Sequence, residues 1–136
     1  MKSKMNIFDL CWCCFYLHDE KHDLGDPTFG ASVSLAVIIQ LYIVDFMVFP
    51  KAIGLYELLD LSFLPFGIAF GFLTLLFILR NRNKKIRKIR LFKYQKYRDL
   101  NALKTKLRFW FFVIMPFLLM IINFIIANTR YYSNKY

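Results

Sequence analysis

Two sets of residues in this chain have types and spacings capable of chemistry. Cys11, Cys14, His18 and His22 follow one another at i, i+3, i+7 and i+11, which lines all four along one face of a helix. Thiolate and imidazole are zinc ligands, and His18 with His22 at i, i+4 has the spacing to chelate one ion. A single closed site is opposed by geometry. Eleven residues of helix rise ~16 Å, whereas four ligands must converge at ~2 Å from one metal. No metal and no cofactor are therefore expected, and the thiols are read as packing groups, with lipidation of a cysteine beside a membrane span as the alternative. Three cysteines within four residues cannot form a disulfide framework.

The second set is polar residues inside apolar runs: Gln40, Asp45 and Asn123, with Thr74 nearby and Glu57, Asp60 and Arg130 at the margins. Such groups are costly to place in lipid and usually face protein or water. They are read as hydrogen-bonding glue between helices, with Arg130 reaching down to Asp45; an ion or proton path is the competing reading. No enzyme is expected. There is no Ser/His/Asp set, no phosphate loop and no H-E-x-x-H motif, and Asp45 has no acidic partner at its depth.

The elements that must position these residues are apolar helices. Of the 136 residues, 58% are hydrophobic and sixteen are Phe, more than a soluble chain of this size readily hides. A bilayer core needs roughly 20 apolar residues in a helix. Three runs meet that length: about 29–49, closed by Pro50; about 61–79, with Pro65 in its first turn; and about 109–127, interrupted by Pro116. None alternates with the two-residue period of a barrel strand. The expected fold is all-α and membrane-embedded, with residues 1–26 an amphipathic interfacial segment and 27–136 a three-span domain. A helix is expected from Ile7 to about His22, stopped near Gly25 and Asp26–Pro27. The short, acid-broken apolar patch near the start does not read as a secretory signal, so the first span is expected to act as an uncleaved anchor.

Charge sets the orientation. Residues 80–108 hold thirteen of the nineteen Lys and Arg and one acid, a net of +12, which leaves −2 for the rest of the chain. This is a localised field and not the signature of a nucleic-acid-coating protein, so no nucleic-acid partner is expected. Cytoplasmic loops are enriched in Lys and Arg. Loop 80–108 and the N-terminus are thus expected in the cytoplasm, and the C-terminus outside, in a bacterial inner membrane. Apolar residues Ile86, Ile89, Phe92, Tyr97, Leu100, Leu103 and Leu107 share one arc of about 140° on a helical wheel, and Leu91 and Tyr94 fall outside it. The segment is read as two helical extensions of the neighbouring spans turning near Tyr97–Asn101, with Asp99 as a cap. A single helix on the membrane surface is the alternative. Arg80, Arg82, Lys84, Lys85, Arg87, Lys88 and Arg90 are the expected contacts for anionic headgroups or a partner.

Small residues indicate where helices meet. Gly67 and Gly71 form a G-x-x-x-G pair, and Gly30 and Ser34 give the first span a smooth face, which predicts close packing of spans one and two or self-association.

An aromatic leader (Phe8 to Tyr16), a Pro-aromatic-small entry (Asp26-Pro27-Thr28-Phe29-Gly30) and a basic loop before the last span together make the layout resemble small three-span bacterial membrane proteins of uncharacterised activity. Some small multi-span proteins of this general kind are immunity proteins against membrane-targeting toxins. The resemblance thus implies a non-enzymatic protein that binds other membrane proteins or a toxin. A channel or transport subunit using Gln40, Asp45 and Asn123, and a holin-like lysis protein, are the alternatives.

Overall fold

Asn6 opens the first helix by accepting a hydrogen bond from the Phe8 amide at 3.1 Å, which satisfies one of the donors that a helix start leaves unpaired. The computed structural model describes residues 4–52 and 63–135. Among them the chain is all α, with helices α1 (Ile7–Lys21), α2 (Pro27–Ala52), α3 (Phe63–Asn81), α4 (Lys84–Leu100) and α5 (Ala102–Ser133). Two of these, Pro27–Phe49 within α2 and Ala102–Ser133 in α5, are long and apolar enough to cross a membrane; the apolar part of α3, Gly67–Asn81, is shorter.

Boundaries follow local chemistry. At the end of α1 the left-handed position falls to Asp23 (φ 51°), with Gly25 (φ 94°) two residues later. Asp is one of the few residues besides Gly that tolerate this region, so the helix stops slightly before the glycine. Asp26 then caps α2, accepting from the Thr28 amide at 2.9 Å, with Pro27 at the first helical position, where its missing N–H costs nothing. α2 runs through Pro50 instead of closing there. α4 does not extend α3: the chain breaks at Arg82–Asn83, and Asn83 caps a new helix by accepting from the Lys85 amide at 2.9 Å. The α4–α5 break is at Asn101 (φ −141°, ψ 52°), which takes the capping position expected of Asp99. α5 then continues without interruption through Pro116, so the basic lead-in and the last apolar run form one helix of 32 residues.

α1 folds back along the first part of α2 as an antiparallel hairpin. Trp12 Nε1 donates to Ser32 Oγ at 3.3 Å, and Ser32 in turn donates to the Thr28 carbonyl at 2.7 Å. Near the turn, Gly30 lies so close to Asp19 that a Cβ there would meet its carboxylate. At the far end, Phe8 packs edge-on against Phe112, which also faces Tyr42. α3 and α5 each pack on α2 but, among the described residues, not on one another. α2 is therefore the central helix, and α4 closes over α1.

The core sits around α1 and not between the long apolar helices. Leu10, Cys11, Trp12, Cys13 and Tyr16 from α1 meet Ala31 and Leu35 from α2 and Tyr94 and Tyr97 from α4. An interfacial position for α1 was expected from an apolar face with aromatics spread around it. Within the chain, α2, α4 and α5 pack around its Leu10–Tyr16 stretch, while His18, Glu20 and Lys21 at its end stay exposed.

The wheel's arc over 86–107 divides in the structure, with Tyr97 alone of its seven residues buried within the chain. Ile86, Ile89, Phe92, Leu100, Leu103 and Leu107 are exposed, whereas Tyr94 and Tyr97 are buried and Leu91 packs beside them. One reason is the break at Asn101, beyond which the wheel's phase no longer applies. The other is that tyrosine brings a ring and a hydroxyl to a core that contains thiols and arginines.

Candidate functional site

The polar residues of α1, α3 and α4 converge on Asp9. Its carboxylate lies 3.1 Å from Arg80 and 3.5 Å from Arg90, tying α1 to α3 and α4. Arg90 also donates to the side chain of Asn81, a buried residue whose amide donates to the Phe77 carbonyl at 2.9 Å. Arg87 donates to Thr28 Oγ1 at 3.0 Å with its guanidinium 5.9 Å from the Tyr16 ring centre. Arg108 bridges the Tyr97 hydroxyl (3.0 Å) and the Met5 carbonyl (3.2 Å). The basic segment is thus divided by residue type. Arg87, Arg90 and Arg108 are turned into the assembly and Arg80 is shared with Asp9, while Arg82, Lys84, Lys85 and Lys88 remain exposed. Arginine suits the inward role because its planar fork satisfies several acceptors at once.

The thiols belong to the same packed region. Cys11 and Cys13 are fully buried, and burial, reinforced by Cys14 and by the Asp9 carboxylate respectively, pushes both up to about 12. Cys14 is raised by burial too, and its Sγ lies 3.2 Å from the Tyr94 hydroxyl, itself raised by burial. Protonated buried thiols are poor nucleophiles and poor metal ligands. His18 and His22 are exposed, their rings 4.6 Å apart, and are not brought to Cys11. Among the described residues no three His, Cys, Asp or Glu side chains are grouped to hold a metal ion.

At the other end of α2 the polar groups are poorly matched. Asp45 (6% exposed) and Asn123 (5%) do meet, but Asn123 donates to the Asp45 backbone carbonyl at 3.3 Å and not to its carboxylate. Asp45 Oδ2 and both amide atoms of Gln40 are buried without a partner among the described residues. Gln40 and Asp45 are five positions apart, about 140° around the helix, so they serve different faces. Thr74 bonds the Phe70 carbonyl of its own helix. No ion pair joins Arg130 to Asp45, in contrast to the expected reach. Glu57 and Asp60 lie outside the described residues.

The expected packing glycines separate. Gly30 is in tight contact, with α1, whereas Gly67 and Gly71 are exposed and a Cβ at either would meet nothing within 4 Å. Ser34 lines a cavity of about 880 Å³ bounded by α1, α2, α4 and α5. Its walls include Phe15, Phe109, Trp110 and Val113, and its charged residues include Lys21, Arg98, Lys106 and Asp19. Thr105 also lines it, 2% exposed, with a hydroxyl that has no hydrogen-bond partner among the described residues. The sequence offered no signal for this site, because its lining comes from four helices and shares no spacing.

No protein-family model, no curated protein and no solved structure matches the chain.

Proposed function

We propose that this chain is a non-enzymatic, three-span membrane protein of the bacterial inner membrane that works by binding another membrane protein. α2, α3 and α5 are its spans, and α1 with α4 forms a cytoplasmic cap into which α2 places its first three turns. The observation carrying this reading is an inversion along α5. Phe117, Leu118, Ile121, Ile122, Phe124 and Ile125 are all exposed, while the buried positions of the helix are Thr105, Pro116 and Asn123. A stripe of that size facing water would far exceed the apolar patches that soluble monomers tolerate, whereas lipid solvates it. The exposed lysines of α4 make the cytoplasmic surface the natural meeting place for an acidic partner. Protection against a membrane-targeting toxin is the particular case that the sequence layout suggests.

The test is fractionation followed by capture. The full chain should remain in the membrane pellet after alkaline carbonate extraction, and a reporter fused within 90–100 should read cytoplasmic. Crosslinking from intact membranes should then return one dominant membrane partner. Release by carbonate would overturn the membrane reading, and a periplasmic reporter would overturn the orientation.

The Asp45 Oδ2, buried without a partner among the described residues, favours a second reading, a channel or transport subunit. That reading expects ion flux in reconstituted vesicles that disappears in Asp45→Asn; vesicles that stay impermeable with the native chain would reject it. A holin-like role predicts rapid toxicity on expression.

A further inference from the structure

We propose that the cavity between α1 and the start of α5 is a binding site for one anionic phospholipid, its phosphate held by Lys21, Arg98 and Lys106 and an acyl chain lying along Phe15, Phe109, Trp110 and Val113. The proposal rests on the membrane reading above and adds a ligand to it. Three observations support this occupant.

Size comes first: about 880 Å³ falls within the roughly 300–1,000 Å³ typical of sites that enclose a small molecule. Second, the lining is sorted as an amphiphile requires. The aromatic and aliphatic wall is continuous with the apolar run of α5, which begins at Phe109. The charged residues are Lys21, Arg98, Lys106 and one acid, Asp19, so the site carries a net +2 with His18 neutral. Asp19 lies against Gly30 and is 3.5 Å from His18, and Arg98 is 3.9 Å from the exposed Asp99 carboxylate with its guanidinium over the Tyr94 ring, within reach of the cavity it lines. Third, Thr105 lines the cavity, and its hydroxyl is buried without a hydrogen-bond partner among the described residues. A buried hydroxyl almost always has one, and a phosphate or ester oxygen entering beside Lys106 would accept from it. An uncharged peptide segment would fill the apolar wall equally well, but it offers no phosphate for the three cations that line the cavity. Basic residues beside a membrane are attracted to anionic headgroups in any geometry; what distinguishes this site is an apolar wall lining the same partly open cavity.

The chain carries its own reporter. Trp110 lines the cavity, while the other tryptophan, Trp12, is sealed in the core. The full-length chain would be reconstituted in phosphatidylcholine bilayers containing a minor fraction of either brominated phosphatidylglycerol or brominated phosphatidylcholine, and tryptophan quenching compared. The expected result is quenching by the anionic lipid at several-fold lower mole fraction. That preference should fall by roughly fivefold for each cation removed in Arg98→Gln and Lys106→Gln, at ordinary juxtamembrane strength. Thr105→Val, which keeps the shape and should fold, should also weaken it. Lys104→Gln, which neutralises an exposed residue outside the cavity, should leave it unchanged, and Lys85→Gln with Lys88→Gln reads the outer surface of α4 separately.

Equal quenching by the two lipids would overturn the site while leaving the membrane reading intact. So would a preference that survives Arg98→Gln and Lys106→Gln but is lost in the Lys85 and Lys88 variants, because attraction would then come from the outer surface of α4. Absence of quenching by either lipid would overturn the membrane reading together with the site.

Discussion

The cap and the apolar legs of this molecule solve opposite problems. In the cap, α1 is buried along most of its circumference and its polar neighbours are paired: Asp9 with Arg80 and Arg90, Arg87 with Thr28, and Arg108 with Tyr97. In the legs, Phe124, Ile121 and Phe72 face outward, while Gln40 and Asp45 hold buried polar atoms without partners among the described residues. One region is a small protein interior that excludes its surroundings, and the other is a set of helices whose surroundings supply the contacts. Stability should therefore be concentrated in the cap, and the sharpest test is to delete the same kind of mass from each. Trp12→Ala removes a buried aromatic and its hydrogen bond to Ser32 and should cost about 3–5 kcal/mol. Phe124→Ala, at a position 66% exposed, should change stability by no more than about 0.5 kcal/mol. Unfolding midpoints of the purified chain in one detergent would measure both. Equal losses would mean that the legs pack as tightly as the cap.

The thiols separate the two regions by pH. Cys11 and Cys13 are raised from 9.0 to about 12 in the folded chain, so folding favours their protonated forms. Their contribution is complete below pH 9 and is lost as pH rises through 12, because the unfolded chain releases these protons first. Between pH 9 and 10 each thiol should remove about 1 kcal/mol of stability. Cys13→Ala should flatten that slope, whatever the mutation does to the midpoint at neutral pH. The same burial predicts that both thiols resist alkylation at pH 8 until the cap is unfolded. Rapid labelling of Cys11 or Cys13 in the folded chain would show that α1 leaves the core.

Helix existence was legible in the residues, and helix environment was not. Length and apolar content marked the runs that became α2, α3 and α5, and the lack of Gly and Pro from Arg80 to Arg108 marked α4 and the lead-in of α5 as helical. Asp26–Pro27 was legible as the stop of the first helix, and the same pair opens α2, two residues before the apolar run begins, because a cap and a first-turn proline act locally. The packed face of α4 was hidden because a helical wheel scores apolarity, and Tyr94, Arg87 and Arg90 are held in place by the hydroxyl and guanidinium bonds they make with distant residues. The same limit conceals the cavity: Thr105, Arg98 and Lys21 share no spacing, and only the crossing of α1, α4 and α5 brings them together.

Glycine offers the smallest and most discriminating comparison. In the cap, Gly30→Ala drives a methyl group toward the Asp19 carboxylate, so the propensity gained by replacing glycine in a helix is offset by displacing that side chain. In the legs, Gly71→Ala meets nothing within 4 Å, and the same substitution should add the full propensity difference, on the order of 0.5–1 kcal/mol. The pair can be read from unfolding midpoints of the purified chain in dilute detergent. A loss at Gly71 comparable to that of a packing defect would mean that the G-x-x-x-G surface of α3 is covered. A loss that grows with protein concentration would identify the cover as a second copy of the chain, since only an association equilibrium depends on concentration in that way.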